Sequence, residues 1–390
     1  MSCYISSNAN RLYTAVELTY GRVPAITAQN RFPAVKLTTR QQVDAADRKD
    51  KTGSRTFGGV PGGSRRRTTF ELRTYLTGWT PGTDEPGYGP LFQASLGGAP
   101  VNFAGGAIAA GATSTRIDFA QAHGLVLGQA VALGGEIRFV TAIVNSTTVQ
   151  VNAPLTSGLA AGSTAGPTLT YFPRTELESA SVFDYWSPTT AVQRILCGSA
   201  VDQMRIQING DFHEFSFTGV AQDLIDSSSF NSSLGQLDSF PEEPPLEPLD
   251  YTIIPGHLGQ VWIGVTPEQF FTLTGATITL TNNVESRSRE FGSTVPQCLA
   301  AGRRSVSVDF SLYERDDAAT KALYQAARQQ SPVSVMFQLG QQSGQLFGVY
   351  LQSVVPDVPE FDDGDVRLEW HFRDARAQGT IDDEIMVGFG

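Results

Sequence analysis

Three cysteines, four histidines and several adjacent carboxylates are the side chains of this sequence best equipped for chemistry. Cys3, Cys197 and Cys298 lie too far apart for a Cys-x-x-Cys ligand pair, and their odd number fits free thiols made in a reducing compartment. His123, His213, His257 and His371 are scattered, without the spacing that sets two imidazoles around one metal ion. Glu242-Glu243, Asp362-Asp363 and Asp382-Asp383 would serve glycoside hydrolysis only if two carboxyl groups faced each other across roughly 5–10 Å. Acids that sit side by side in turns, a connector and a tail read instead as solvated charge. The run from Asp362 to Asp365 offers too few alternating oxygen ligands, and no closing Glu, for a calcium loop. No Gly-x-x-x-x-Gly-Lys-Ser/Thr phosphate loop and no Gly-x-Ser-x-Gly nucleophile turn is present; Gly58-Gly59 and Gly105-Gly106 open no helix. The expectation is a non-enzyme with no catalytic site, no cofactor and no metal.

The elements that position these residues are β-rich. Only 17% of the 390 residues are charged, and 39 Gly and 23 Phe accompany many Thr and Val. A net charge of −11 excludes a general phosphate-binding surface. No apolar run approaches the ~20 residues of a membrane helix, and Met1-Ser2-Cys3-Tyr4 does not open a secretory signal. The charge is uneven: residues 1–100 hold 13 Lys and Arg against 7 Asp and Glu, a balance of +6, and the remainder carries −17.

Two stretches repeat one order of elements. In the first, 31–39 reads as a strand and 44–64 as a long polar loop. Arg65-Arg66-Arg67 then opens an alternating strand, with Phe70, Leu72, Thr74 and Leu76 on its inner face. A short helix is expected over Pro90–Leu96, stopped by Gly97-Gly98. In the second, a strand over 273–281 precedes a polar stretch, then 302–312 alternates with Val306, Val308, Phe310 and Leu312 inward. A helix over 316–330 follows, its apolar stripe Ala319, Leu323 and Ala326. Leu91-Phe92-Gln93-Ala94 matches Leu323-Tyr324-Gln325-Ala326, and closing strands 210–217 and 364–372 correspond. Aromatic residues such as Phe70, Phe310, Trp370 and Phe372 fall at inward positions, so packing accounts for them without a sugar ligand.

The expected fold is all-β with one short helix per domain: two tandem β-sandwich or barrel domains plus an inserted small all-β module. Domain 1 is discontinuous, 1–98 and 174–225. The module is 99–173, with strands near Thr115–Phe119, Ala130–Leu133, Glu136–Val144 and Thr147–Val151, projecting outward from its host loop. An acidic, proline-rich linker, 226–250, should be extended and semi-rigid, and domain 2 is 251–390.

This duplicated order resembles the tail tube proteins of long-tailed bacteriophages, in the larger form with two tube domains. The resemblance rests on Arg65–Leu76, Pro90–Leu96 and Gly210–Phe217 with their counterparts Gly302–Leu312, Asp316–Gln330 and Gly364–Phe372. It implies a structural virion protein, made in the host cytoplasm, that forms trimeric pseudo-hexameric rings (hexameric in the alternative). Rings stack into a negatively lined tube through which double-stranded DNA passes without specific binding. The implied partners are the protein itself, a tape measure protein, and terminator and baseplate proteins. Two loops match the place of the family's assembly loop. The candidate inter-ring residues are Asp47, Arg48, Lys49, Lys51, Arg55, Arg65, Arg66 and Arg67 in the first copy. In the second they are Glu285, Arg287, Arg289, Arg303 and Arg304. Competing readings are a distal tail or baseplate ring protein of the same fold, and a carbohydrate-binding multi-domain β protein. Deleting Asp47–Gly59 is expected to leave a folded chain that no longer polymerises; normal tubes by electron microscopy would refute the loop's role.

Overall fold

Alternating apolar and polar residues make strands that bury one face, and in this chain they dominate. The computed structural model describes residues 4–44, 49–51, 53–59, 64–79, 85–249, 251–286, 290–364 and 366–390. The protein is mostly β, with two α-helices among the described residues. The first stretch contains β1 (Asn10–Val16), β2 (Ala34–Asp44), β3 (Arg65–Tyr75) and α1 (Gly89–Leu96). The insertion supplies β4 (Val101–Phe103), β5 (Arg116–Asp118), β6 (Ala130–Leu133), β7 (Glu136–Asn145), β8 (Thr148–Val151) and β9 (Thr168–Tyr171). Then come β10 (Ala180–Trp186), β11 (Arg194–Ile208), β12 (Glu214–Ala221) and β13 (Asp223–Asp226). The second stretch holds β14 (Gly259–Gly264), β15 (Leu273–Thr281), β16 (Ser305–Tyr313), α2 (Ala318–Gln329), β17 (Val333–Leu339) and β18 (Phe347–Val355). It closes with β19 (Glu360–Asp362), β20 (Glu369–Ala377) and β21 (Met386–Phe389).

One antiparallel sheet runs through both stretches in the order β2-β3-β12-β11-β15-β16-β20-β19. Its left and right halves have the same register. Glu214 faces Tyr75 as Glu369 faces Tyr313. A bulge between Ala34 and Lys36 on β2 is repeated between Leu273 and Gly275 on β15. The two halves join where Gln203–Ile208 of β11 pair with Ala276–Thr281 of β15.

Long strands turn the corner into a second layer. The first part of β11 pairs with β10 and β13, and β10 with β1. In the second half the layer runs β4-β9-β21-β18-β17-β14. Between layers lies one apolar core containing Phe70, Leu72, Phe215, Phe217, Phe310, Leu312 and Phe372. Helix α1 is buried along its whole length, with Pro90 in its first turn; Gly97, at φ 99°, caps its end by donating its N–H to Gln93 O. Helix α2 starts two residues later than its acidic pair suggests, because Asp317 is the cap: its carboxylate accepts the Thr320 N–H at 2.8 Å.

Three expectations change. The first strand begins after Pro33, which has no N–H to give a ladder, and extends to Asp44. Segment 226–249 is more than an extended, semi-rigid connector: Phe230, Leu234, Leu237 and Phe240 pack on a cluster of Tyr13, Phe183, Tyr185 and Ile195. Glu243 pins it there, accepting from the Arg11 guanidinium and, at 2.9 Å, from Tyr13 Oη. Desolvation, then the bond to Glu243, pushes the Tyr13 phenol up to about 12.

The insertion does not simply project outward. Its sheet β5-β8-β7-β6 has a core of its own, but β6 and the start of β7 are buried on both faces. Ala130, Ile137 and Phe139 rest on Trp262, Met336, Tyr350 and Met386 of the second half. Gly348 and Gly388, directly opposite each other on β18 and β21, permit that approach. A Cβ at Gly388 would stand 2.6 Å from the Ala130 Cβ, and one at Gly348 2.9 Å from the Phe139 ring. Strands β4 and β9 themselves belong to the second half's layer.

Arg138 locks this contact. Its guanidinium has no solvent exposure and donates to Glu136 (2.8 Å), Gln338 (2.7 Å), Gln260 (3.1 Å) and Pro154 O, while lying 5.2 Å over the Trp262 ring. Burial lowers its pKa to about 10, opposed by Glu136, so it stays charged at neutral pH. Arg138→Ala leaves Glu136 buried without its cation and should lower the unfolding free energy by about 3–5 kcal/mol, read from denaturant titration.

Candidate functional site

The two polar loops leave the sheet where β3 and β16 begin. Pairing of β2 with β3 continues to Asp44 opposite Arg65, where the first loop leaves and rejoins the sheet. Lys49, Lys51 and Arg55 are exposed there; Asp47 and Arg48 lie outside the described residues. In the second loop Glu285 pairs with Ala300 in a short ladder, and Arg287 and Arg289 lie outside the described residues.

The loop roots touch each other. Arg66 donates its backbone N–H to Thr294 O at 2.8 Å, and the Arg65 guanidinium reaches Glu290 O at 3.4 Å. The Arg66 guanidinium lies 3.4 Å from the Asp223 carboxylate. Arg67 points to the open side of β3, and Arg303 is exposed, its carbonyl accepting from Asn283. Arg304 is not brought to this group: it pairs with Glu384 and, at 2.6 Å, with Asp382, and donates to Arg174 O at 2.7 Å.

One signal was missed in the sequence. Ser54-Arg55-Thr56-Phe57-Gly58 recurs as Ser288-Arg289-Glu290-Phe291-Gly292, so each loop carries the same short motif. Phe57 is 69% exposed and Phe291 fully so. Two solvated phenyl rings at matching places are costly for an isolated chain.

The second surface is the uncovered face of the long sheet. One row of facing residues crosses seven strands: Lys36, Arg73, Ser216, Arg205, Thr279, Ser307 and Arg376. Lys36, Arg40, Arg65, Arg67, Arg73 and Arg205 outnumber Asp44, Glu71 and Glu214 on the first half of this face. On the second, Asp309, Glu360, Asp362, Glu369 and Asp374 outnumber Arg373 and Arg376. Cations and carboxylates are therefore nearly equal in number on the whole face. Arg73 grips Glu214 across the ladder through two bonds of 2.5 and 2.8 Å. The face is hollowed by a groove of about 420 Å³ between Gln207, Thr277, Asp309 and His371.

Ser311 and His371 line that groove, and Asp362 stands beside the imidazole. Ser311 Oγ is 2.7 Å from His371 Nδ1, and His371 Nε2 is 3.8 Å from Asp362 Oδ2. Ser311 sits on an interior strand, paired in ladders on both sides. The set reads as a polar cross-strand cluster. The buried carboxylate of Glu17 is likewise saturated, accepting from Gly21 N, Gly198 N, Ser179 and Ser181 at 2.6–2.8 Å. Among the described residues no group of three or more His, Cys, Asp or Glu could hold a metal ion, and no helix is long and apolar enough to cross a membrane.

Comparison with protein-family models and with curated proteins gives no match.

Next to the junction of the halves, His213 is buried, with Nε2 3.2 Å from Leu258 O. Burial lowers its pKa, and His257 adds to this against the bond to Leu258. The unfolded chain thus binds a proton more readily, so His213 costs stability as pH falls below about 6.5. Replacing it by Gln should flatten the loss between pH 7 and 5 in thermal melts, relative to the wild type.

Proposed function

We propose that this chain is a structural protein that closes into rings of few copies and stacks those rings into a tube, as phage tail tube proteins do. One observation carries the reading. The junction of β11 with β15 already joins two equivalent half-sheets edge to edge, and the same sheet ends in two further edges, β2 and β19. Among the described residues no strand pairs with the outer side of either.

The matched registers say how those edges would meet. Gln207 opposite Glu214 corresponds to Asp362 opposite Glu369, and Thr277 corresponds to Thr38. Arg205, Ile206 and Gln207 face Thr279, Ile278 and Thr277 inside the chain. Between copies, Glu360, Phe361 and Asp362 would then face Arg40, Thr39 and Thr38. A cation and a carboxylate fall opposite each other at the first of these positions, which favours the pairing. Closing the ring removes both exposed edges. Pro356 and Pro359 offer no amide just before β19, which limits the ladder and restrains indiscriminate edge pairing.

Three copies would supply six half-sheets. The uncovered, hollowed face is the natural inner wall. A wall whose cations are matched by carboxylates takes up little net phosphate, which suits a conduit for double-stranded DNA. The role is mechanical, with no catalytic step. The virion location, and the tape measure, terminator and baseplate partners, follow from the same resemblance.

Electron microscopy of the purified chain should show rings and hollow stacks; a monomer at every concentration would overturn the proposal. Reversing Glu360→Arg or Arg40→Glu alone should suppress ring closure in sedimentation, and the double reversal should restore it.

A further inference from the structure

We propose that rings stack by seating Phe57 of one copy in an apolar groove beside α2 of a copy in the next ring; this rests on the stacked-ring reading. The groove, of about 320 Å³, runs between α2 and the turn after β14 and is lined by Val265, Ala318, Ala319, Ala322 and Leu323. Val265 is 80% exposed, and Ala318 and Ala322 face solvent, so apolar surface stands open there. Beside α1 there is no counterpart, because that helix is buried throughout.

Knob and groove belong to opposite ends of the molecule. Strands β3 and β16 are separated by four antiparallel steps and so run the same way, placing both loops at one end of the sheet. Helix α2 begins just beyond Tyr313, where β16 reaches the other end. A projection at one end and a recess at the other make a head-to-tail contact, which repeats into an open filament.

Charge selects the first loop over the second. Ahead of Phe57 stand Arg48, Lys49, Lys51 and Arg55 against Asp47 and Asp50, whereas ahead of Phe291 Arg287 and Arg289 are offset by Glu285 and Glu290. The groove has Glu268 in its wall, and Glu314, Asp316 and Asp317 outnumber Arg315 and Lys321 at the start of α2. A basic loop approaching an acidic rim is steered and oriented as it docks.

The test uses the full chain. Phe57→Ala should leave rings intact in mass measurement while raising the concentration needed for stacking about tenfold or more; Phe291→Ala should have the smaller effect. In a background with Cys3→Ser and Cys298→Ser, the Thr56→Cys/Ala322→Cys double variant, which keeps Phe57, should be joined between chains by a short bismaleimide only when stacks form. Unchanged stacking by Phe57→Ala, or stacks that give no such cross-link, would overturn the seating. Wild-type chains that form no stacks at all would instead overturn the stacked-ring reading beneath it.

Discussion

The backbone of a β-strand must find partners along both of its edges, and the pairing of Gln203–Ile208 with Ala276–Thr281 is where this protein meets that demand between its two halves. Without this ladder each half would show a raw edge in its middle. With it, eight strands share one sheet, one core lies beneath them, and the shortage of partners moves out to β2 and β19. The proposed ring follows from repeating the internal contact once more between copies. Equal registers and a bulge at the same place in both halves make the two contacts interchangeable in geometry.

The rest of the chain stiffens that sheet. Segment 226–249 is held along the first half by aromatic packing and by the Arg11–Glu243 pair, so the connection between halves has little freedom. The insertion leaves the first half after α1 and returns to it after β9, yet its polar lock, Arg138, reaches Gln260 and Gln338 of the second. It thereby works as a brace across the two. A guanidinium removed from water needs every donor satisfied and an anion nearby, and this one has both.

Much of the sheet was legible in the sequence. Alternation placed the inner faces of Arg65–Tyr75 and Ser305–Tyr313, and Pro90 and Gly97 marked the ends of α1. Strand Asn10–Val16 went unrecognised, since most of it is buried and shows no clean alternation. The same physics hid the insertion's docking: Ile137-Arg138-Phe139-Val140 is buried on both sides, a pattern with continuous apolar character interrupted by a charge. The Ser-Arg-x-Phe-Gly recurrence was visible in the letters alone. Only exposure of both phenyl rings gave it meaning.

By itself the sequence determined the β-rich class, the repeated order of elements and the lack of recognisable catalytic spacing, because these depend on local alternation, turn residues and short-range motifs. The tertiary structure decided which edges pair, which face stays open and where each charge stands. Those outcomes depend on contacts between residues far apart in the chain, as between Arg205 and Thr279 or Arg138 and Gln338. The overall charge of −11 could not reveal that the open sheet face is balanced, with a basic half beside an acidic one. Strand register alone puts those side chains on the same side.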